Sequence, residues 1–412
     1  MKALQYRKSV PRYALLKLLG SRVKSLCTSA AAPIALVDIP EPRLPNEQWV
    51  RIAPSLAGIC GSDLATICAK GSPYLSPVTS MPFVMGHEVV GVVTHAGSAV
   101  TRAVVGDRVV LQPALGCAVR GIVPKCAVCV EGNAALCSNI TRGAISAGIQ
   151  TGFCRDTGGG FSESLVAHES QVYKVPSEIP DEAAVLIEPF SCALHAALRV
   201  SLEKGQTALV VGCGSIGLLT IAALRAIQCP ARIVAVARYD HQRRLAKELG
   251  ADELLESPRT LIDRYRLWVK ALSAEVHEAQ IGKPMVIGGA DAVFDCVASS
   301  ESIDDAVRFT RSGGTFALVG MPGIPRGVDW TPIWFKELTV RAAYAYGREE
   351  ARGGKDTFEV AIELMKDRAQ QLAKLVGKPF PLLEYKAAIQ QALSTGRSKV
   401  VKTVIAPQDG RN

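Results

Sequence analysis

The chain has 412 residues, of which 48% are hydrophobic and 21% charged, with 47 Lys and Arg against 38 Asp and Glu. This length and composition predict two or three globular domains and exclude disordered, fibrous and collagen-like proteins. The net charge of +9 is spread thinly, without a stripe of interleaved basic and aromatic residues, so we expect no nucleic-acid partner. Twelve cysteines are too few for a disulfide scaffold of this size, and their partial clustering favours a reducing compartment.

The amino-terminal segment is basic and contains no acidic residue before position 25. Its cations are Lys2, Arg7, Lys8, Arg12, Lys17, Arg22 and Lys24. In composition this start resembles a mitochondrial presequence. Residues 1–6, however, alternate as a strand does, and residues 12–19 suit a helix that packs on the body of the protein. We therefore favour an insertion in a cytoplasmic protein over a targeting segment.

The next part of the chain has the pattern of a β-rich domain. Residues 34–190 are rich in Val, Gly and Pro, and apolar runs at 49–52, 89–93 and 108–111 are separated by turn signals. Such runs are typical of short antiparallel strands. The sequence therefore predicts a folded β-rich unit up to about residue 188.

From there strands and helices alternate. Strands are predicted at 208–211, 232–236, 292–297 and 315–319, and helices at 216–227, 241–249 and 302–310. This alternation predicts a doubly wound parallel sheet covered by helices. Residues 257–287 form a polar, helical insertion, and the tail is expected to hold a helix at 358–366 and a strand at 399–404. The apolar run 208–224 approaches the length of a membrane span, but its glycines favour a strand, a turn and a helix, so no membrane partner is expected.

A dinucleotide fingerprint lies inside that run. Gly212, Gly214 and Gly217 form G-x-G-x-x-G directly after an apolar strand and at the start of a helix. The first glycine permits a tight turn, the second lets a pyrophosphate approach, and the third allows close packing of helix and strand. Ser215 and Ile216 lie at the helix N-terminus, which offers N–H groups to phosphates. A structural turn in another α/β protein is the alternative.

The end of the next predicted strand bears on the choice of cofactor. An NAD site usually places an acid there for the ribose hydroxyls, whereas this chain has Ala237 followed by Arg238. A guanidinium attracts a 2′-phosphate that a carboxylate would repel. We therefore favour NADP(H) over NAD(H), with Arg243 as a further cofactor-binding candidate. The alternative is that Arg238 is solvated and Asp240 supplies the acid.

Two groups of residues have the composition of metal sites. Cys126, Cys129 and Cys137 are spaced as zinc ligands in a loop-rich stretch, and Cys117 is the candidate fourth ligand of a closed, structural site. A second, dispersed set combines the thiolate of Cys60 with an imidazole and two carboxylates, from His87, Glu88 and Glu188. Such a set with an open position is typical of a catalytic zinc. Free cysteines and an ordinary core histidine are the alternatives.

At these residues the chain resembles the zinc-dependent medium-chain dehydrogenase/reductase family, which includes alcohol, polyol and threonine dehydrogenases. The matching motifs are residues 60–63, 86–91, 158–163, 188–190, 294–297, 313–316 and 335–340, with the cysteine group and the glycine fingerprint. The resemblance implies a GroES-like catalytic domain over residues 1–189, completed by 346–412, and a Rossmann domain over 190–345. It also implies an active site in the cleft between the domains and a homodimer or homotetramer.

By position, the resemblance makes Cys60 and His87 zinc ligands and Ser62 the hydroxyl that passes the substrate proton. Glu188 takes the third-ligand position, and the adjacent Glu88 can bind zinc or its water, so the third ligand stays open between them. The chain also departs from the family. Ala65 replaces a relay histidine, Val123 replaces the first cysteine of the metal lobe, and the extensions at 7–33 and 257–287 have no usual counterpart.

These observations together predict an enzyme with two zinc ions per chain. It would transfer a hydride between a secondary alcohol or polyol and NADP(H). The alternatives are a zinc-free quinone or enone reductase of the same superfamily and a non-catalytic protein that binds zinc and a dinucleotide. The intact set of Cys60, Ser62, His87 and Glu188 opposes both.

Overall fold

The computed structural model describes residues 1–20, 22–258 and 260–408. The chain divides into two compact units. The first comprises Met1–Glu188 together with the chain from Tyr346 onward, and the second comprises Pro189–Ala345.

The first unit is built mainly from strands. Its strands are β1 Lys2–Tyr6, β2 Ile34–Asp38, β3 Trp49–Gly58, β4 Phe83–Val84, β5 Glu88–Ala96, β6 Arg108–Leu111, β7 Leu165–His168 and β8 Val172–Lys174. Its first helices are α1 Val10–Leu19, α2 Gly61–Ile67, α3 Ala127–Val130 and α4 Asp181–Ala184, and α5 Ile187–Leu198 spans the unit boundary.

Two sheets organise these strands. Within the described residues, β1 lies between β2 and β4 in an antiparallel sheet, and β3, β5, β6 and β8 pair successively in a larger one, with β7 on β3. Alternate residues of β3 are buried, as expected of a strand with one face on the core. The predicted strands at 49–52, 89–93 and 108–111 are thus present.

The N-terminal extension is docked on this unit. Helix α1 leads to a one-turn 3₁₀ helix, Lys24–Thr28, and Leu16 and Cys27 are buried in the core of the first unit. A disulfide joins Cys27 to Cys68 at the end of α2. The sequence did not predict this bond, because the two cysteines are 41 residues apart and follow no recognisable spacing.

The chain returns to the first unit after residue 345. Its last elements are β17 Arg348–Glu349, β18 Lys355–Asp356, α11 Thr357–Met365, α12 Ala369–Ala373, β19 Phe380–Pro381, α13 Tyr385–Leu393, α14 Thr395–Ser398 and β20 Val404–Ala406. The helix predicted at 358–366 is present as α11, but the sequence did not predict the three helices that follow it.

The strand predicted at 399–404 is also wrong over most of its length. Lys399 ends α14 in a left-handed conformation, with φ of 57°, which breaks the extended backbone that a strand needs. Lys402 makes only an isolated bridge to Val376. The regular strand begins at Val404 and pairs with the end of β3.

The second unit contains the predicted parallel sheet. Its strands are β9 Thr207–Val211, β10 Arg232–Ala237, β11 Glu253–Glu256, β12 Glu275–His277, β13 Met285–Ile287, β14 Ala290–Asp295, β15 Thr310–Leu318 and β16 Thr339–Ala342. Its helices are α6 Ser215–Ala226, α7 Asp240–Glu248, α8 Leu261–Ala271, α9 Ser300–Phe309 and α10 Thr331–Phe335. Within the described residues, six strands pair in parallel in the order β11-β10-β9-β14-β15-β16.

The insertion at 257–287 is only partly helical, and Arg259 lies outside the described residues. Helix α8 packs on the core of this unit through Tyr265 and Trp268. The rest forms the antiparallel pair β12–β13, which the sequence did not predict. Among the described residues, no helix is long and apolar enough to cross a membrane, and the apolar run 208–224 divides into β9, a turn and α6.

Candidate active site and metal centres

The glycine fingerprint connects β9 to α6. Gly212 has a positive φ of 90°, and a Cβ atom at Gly217 would lie 1.8 Å from the carbonyl oxygen of Gly212. Only glycine fits such a turn. A Cβ at Gly214 would meet no atom within 4 Å, so the backbone is open there, at the N-terminus of a twelve-residue helix. Ser215 and Ile216, in its first turn, are half-buried. This opening fits a pyrophosphate.

The end of β10 carries the residues that bear on the 2′-position of a dinucleotide. Ala237 is buried and Arg238 is exposed. Arg243 forms an ion pair with Asp240, lies 3.5 Å from Glu256, and donates a hydrogen bond of 3.4 Å to the carbonyl oxygen of Ala237. The carboxylate of Asp240 is therefore engaged by a cation, while no acid stands at the strand end itself.

Four cysteine sulfurs meet in the loop after β6. The Sγ atoms of Cys117, Cys126, Cys129 and Cys137 all lie within 4.8 Å of one another, and none is in a disulfide. Cys117 Sγ is 3.6 Å from both Cys126 Sγ and Cys137 Sγ, and the latter two are 3.9 Å apart. Ligands at 2.3 Å in a zinc tetrahedron are about 3.8 Å apart. We call this group the cysteine lobe, and its donors fit a closed zinc site.

Backbone and side-chain N–H groups point at these sulfurs. Cys126 N donates to Cys117 Sγ over 3.4 Å, and Asn139 donates from its backbone to Cys137 Sγ and from its side chain to Cys117 Sγ, both over 3.3 Å. Such donors stabilise thiolates. The following loop is closed around Arg120, a fully buried residue whose guanidinium donates to five carbonyl oxygens between positions 115 and 148.

A second group of donors forms where β3 leads into α2 and where β5 begins. The side chains of Cys60, His87 and Glu88 offer a sulfur, a nitrogen and an oxygen within 4.8 Å of one another. We call these three residues the mixed cluster. His87 and Glu88 are buried, and Ser62 Oγ lies 3.5 Å from His87 Nε2.

Asp63 orders the mixed cluster. It is completely buried, accepts a hydrogen bond of 2.9 Å from the backbone N–H of Cys60, and places its other oxygen 3.6 Å from His87 Nδ1. Burial opposes the imidazolium form of His87, but Asp63 and Cys60 beside it raise its pKa well above the usual value. The site therefore stabilises positive charge at this position.

Lys402, from the carboxy-terminal part of the chain, reaches the same cluster. It is buried and forms an ion pair with Glu88. Burial opposes its charge, but Glu88, Cys60 and Glu188 raise its pKa. Gly58 makes room for this pair, since a Cβ there would lie 2.1 Å from Glu88 Oε2. Lys402 thus faces the buried carboxylate of Glu88 and the thiol of Cys60, and Glu188 also acts on its charge. Sulfur, nitrogen and oxygen together are a set that zinc accepts.

The structure also places Glu188, a predicted zinc ligand, and Ala65, which replaces a relay histidine. Among the described residues, the group of mutually close donors does not include Glu188, which is buried near the start of α5. Ala65, at the position of the missing relay histidine, is half-buried in α2.

Sequence reasoning assigned no role to Asp63 or Lys402. The spacing Cys60-x-x-Asp63 is that of a helix capping box, a signal that could have identified Asp63. No local pattern marks Lys402, because its partner Glu88 is more than 300 residues away in the sequence.

Comparison with known proteins identifies the class. Residues 46–177 match the alcohol dehydrogenase GroES-like domain, and residues 215–367 match the zinc-binding dehydrogenase family. The relatives include L-idonate 5-dehydrogenase of Vitis vinifera, 29% identical over 331 residues and 80% of each chain, and sorbitol dehydrogenase of Arabidopsis thaliana, 31% identical over 316 residues and 77% of each chain.

Solved structures agree with this. The 2R,3R-butanediol dehydrogenase from Bacillus subtilis superimposes with a TM-score of 0.70 at 26% identity over 99% of each chain. A protein from Sinorhizobium meliloti 1021, solved with bound NADP, gives a TM-score of 0.67 at 25% identity over 91% of this chain and 95% of that one.

The chain belongs to the zinc-dependent medium-chain dehydrogenase/reductase family. The predicted family and the predicted combination of a GroES-like and a Rossmann fold are thereby confirmed. The protein is an alcohol dehydrogenase of this family, an enzyme that works with zinc and a nicotinamide cofactor.

Proposed function

We propose that the enzyme interconverts a secondary alcohol or polyol and its carbonyl product, with NADP(H) as the hydride carrier. The substrate class is supported by relatives named for sorbitol and L-idonate. The cofactor preference rests on one observation. Arg238 is exposed beside the buried Ala237 at the end of β10, while Asp240 is held by Arg243.

We further propose that the first unit is the catalytic domain and the second the dinucleotide-binding domain. The mixed cluster and the cysteine lobe lie in the first unit, and the glycine fingerprint lies in the second. Two zinc ions per chain follow from this, one catalytic at the mixed cluster and one structural at the cysteine lobe.

The residues in and around the mixed cluster would have different roles in the reaction. When bound, zinc supplies a Lewis acid that lowers the pKa of an alcohol oxygen, and the nicotinamide accepts a hydride. Cys60, His87 and Glu88 would hold the metal, with Glu188 as the alternative third ligand in place of Glu88. Ser62, in the first turn of α2, takes the hydroxyl proton of the substrate. Asp63 holds the Nδ1 side of His87, which keeps Nε2 available as a ligand.

The cofactor proposal is tested on the wild-type enzyme and on a paired variant. We expect kcat/KM to favour NADP(H) over NAD(H), because a charge-assisted contact to the 2′-phosphate is worth about ten- to a hundredfold. Ala237→Asp combined with Arg238→Ala should move the preference towards NAD(H), mostly through KM. Arg244→Ala, an exposed cation on α7, is the control. A wild-type enzyme that prefers NAD(H) tenfold would contradict the proposal and make Asp240 the ribose partner.

Metal content and a substrate panel test the rest. Elemental analysis should find two zinc ions per chain. One zinc ion per chain would mean that only one of the two proposed sites binds zinc, and the absence of zinc would favour a zinc-free reductase. Among secondary alcohols, polyols and aryl alcohols, we expect the highest kcat/KM for a secondary alcohol or polyol.

We also propose a homodimer formed through the second unit. All four residues of β16, an edge strand of the parallel sheet, are exposed. Trp330, Trp334 and Phe335 are also more than half exposed on the preceding segment, and an apolar patch beside an open strand edge favours association. Trp334→Glu should convert a dimer into a monomer in light scattering, and a wild-type monomer would contradict the proposal.

A further inference from the structure

The N-terminal extension presents an apolar helix face that the proposed function does not use. Val10 is 69% exposed and Leu18 is 74% exposed, and Leu15 and Leu19 are also open to solvent. Leu15, Leu18 and Leu19 stand at helical spacings of three and four, so they share one face of α1. A folded protein rarely leaves three leucines together on its surface without a binding role.

The extension is held in place on its opposite side. Leu16 is buried and Cys27 is bonded to Cys68. Hydrogen bonds also tie it to α13 and its end, from Gln390 Nε2 to Thr28 Oγ1 over 3.0 Å and from Lys24 Nζ to the carbonyl oxygen of Leu393 over 3.0 Å. Helix α1 is therefore fixed with its leucines outward, and binding through them requires no unfolding.

Cations border the apolar face. At 3.6 residues per turn, Arg12 and Lys17 project between the buried side of α1, which carries Leu16, and its exposed apolar side. Both are exposed, as are Arg7, Lys8, Arg22 and Lys24. The first acidic residue of the chain is Asp38. In the described part of the extension, none of these six cations forms an ion pair with a carboxylate.

We propose that this face docks the enzyme on an anionic lipid surface, with Leu15, Leu18 and Leu19 inserted at the acyl boundary and the bordering cations on the headgroups. An apolar face with basic edges is the pattern of helices that lie in a membrane interface. A symmetric contact between two copies would place cation against cation. A lipid surface requires no groove complementary to protruding leucines, as a protein partner would. The proposal departs from the expectation of no membrane partner, which rested on the lack of a spanning segment; docking at the interface requires no spanning helix, and the described residues contain none.

The test uses the full chain and vesicles of stated composition. At 0.1 M salt, we expect the wild type to partition at least tenfold more strongly onto phosphatidylcholine vesicles with 30% phosphatidylserine than onto pure phosphatidylcholine, because each cation near an anionic surface adds about fivefold. Raising the salt to 0.5 M should weaken the binding, since the Debye length shortens.

Two variants address the two halves of the surface. Leu15→Ser with Leu18→Ser, and separately Arg12→Glu with Lys17→Glu, should each reduce vesicle binding at least tenfold. Matched controls elsewhere on the first unit are Val104→Ser with Val105→Ser and Lys374→Glu with Lys378→Glu, all at exposed positions. The controls should bind as the wild type does. Every variant should keep the wild-type melting temperature and dehydrogenase activity, which separates lost docking from lost folding.

Several results would overturn the proposal. One is equal binding to both kinds of vesicle, and another is full binding by the leucine variant. If the leucine variant instead lowers the oligomer mass and no form binds vesicles, the face is a contact between copies. A third result concerns poly-L-glutamate. If it binds the protein as strongly as the vesicles do, and if Leu15→Ser with Leu18→Ser leaves that binding unchanged, the surface would instead bind an acidic protein.

Discussion

The two candidate metal sites of the first unit are built in opposite ways. The cysteine lobe takes four identical donors from a stretch of 21 residues, Cys117–Cys137, whose sulfurs receive N–H hydrogen bonds from this stretch and from Asn139 just after it. The mixed cluster combines three kinds of donor from separate elements and adds Lys402 from the other end of the chain. Like ligands from one short segment can stabilise only that loop. Different side chains brought together from distant segments can instead place several reactive groups around one position.

Burial separates the two sites as well. Val123, Val130 and Leu136, in the segment that carries the cysteine lobe, are more than half exposed. This segment therefore has little apolar core and would depend on its metal for stability. His87, Glu88 and Lys402 are instead buried beside the core of the first unit. The mixed cluster should keep its shape without metal, while the cysteine lobe should not.

Removing a donor from the mixed cluster has the largest expected effect on activity. Cys60→Ser or His87→Ala should lower kcat by about a thousandfold or more, because several kcal/mol of transition-state stabilisation depend on the metal. NADPH affinity, measured by fluorescence titration, should stay within a few-fold, since the fingerprint lies in the other unit. Cys229→Ser, at a cysteine outside both sites, is the control. Substantial remaining activity would remove the mixed cluster from the mechanism.

The same kind of substitution in the cysteine lobe should affect stability first. Cys129→Ser should lower the melting temperature by about 10 °C, since a few kcal/mol are lost and each shifts it by a few degrees. Zinc content should fall by one ion per chain, with kcat changed much less than by Cys60→Ser. Differential scanning calorimetry and elemental analysis measure these outcomes. An equally heat-stable Cys129→Ser protein would exclude a structural zinc there.

Lys402 offers a way to compare the mixed cluster with and without metal. Lys402→Met should reduce the free energy of unfolding by about 3–5 kcal/mol in zinc-stripped enzyme, because Glu88 becomes a buried charge without its partner. The loss should be smaller in zinc-loaded enzyme, where the metal compensates that charge. Chemical denaturation of both forms measures it, with Lys402→Arg as the charge-preserving control. Equal losses with and without zinc would mean that Glu88 does not face the metal.

Local patterns predicted much of the fold. The strand expected at 208–211 and the helix at 216–227 correspond to Thr207–Val211 and Ser215–Ala226, because a glycine fingerprint fixes both ends of the turn between them. The spacing of Cys126, Cys129 and Cys137 similarly led to Cys117, which the structure brings to the same group. That this group holds zinc stays a prediction.

Long-range contacts were not predictable in the same way. The partners Lys402 and Glu88, and the bonded pair Cys27 and Cys68, meet only because the whole first unit folds. The strand predicted at 399–404 failed for a local reason, since apolar composition does not reveal that Lys399 adopts a left-handed conformation. Sequence spacing therefore locates sites made by one segment, and it leaves parts of convergent sites unassigned.

The smallest expected effect comes from Asp63→Asn, which tests how finely the mixed cluster is tuned. The amide oxygen can still accept from the backbone N–H of Cys60, so the start of α2 should persist. Its NH₂ group, however, would face His87 Nδ1 and favour the tautomer that carries a proton on Nε2, the nitrogen nearest Ser62. Zinc affinity and kcat/KM should then fall by about ten- to a hundredfold, as when the hydrogen-bond partner of a metal-binding histidine is replaced at other sites. Competition with a chelator and steady-state kinetics measure both, with the melting temperature as a check on folding.

The matching change in the cysteine lobe, Asn139→Asp, removes an N–H donor from Cys117 and should alter stability without this loss of activity. Wild-type kcat/KM and zinc affinity in Asp63→Asn would show that the orientation of His87 is set elsewhere.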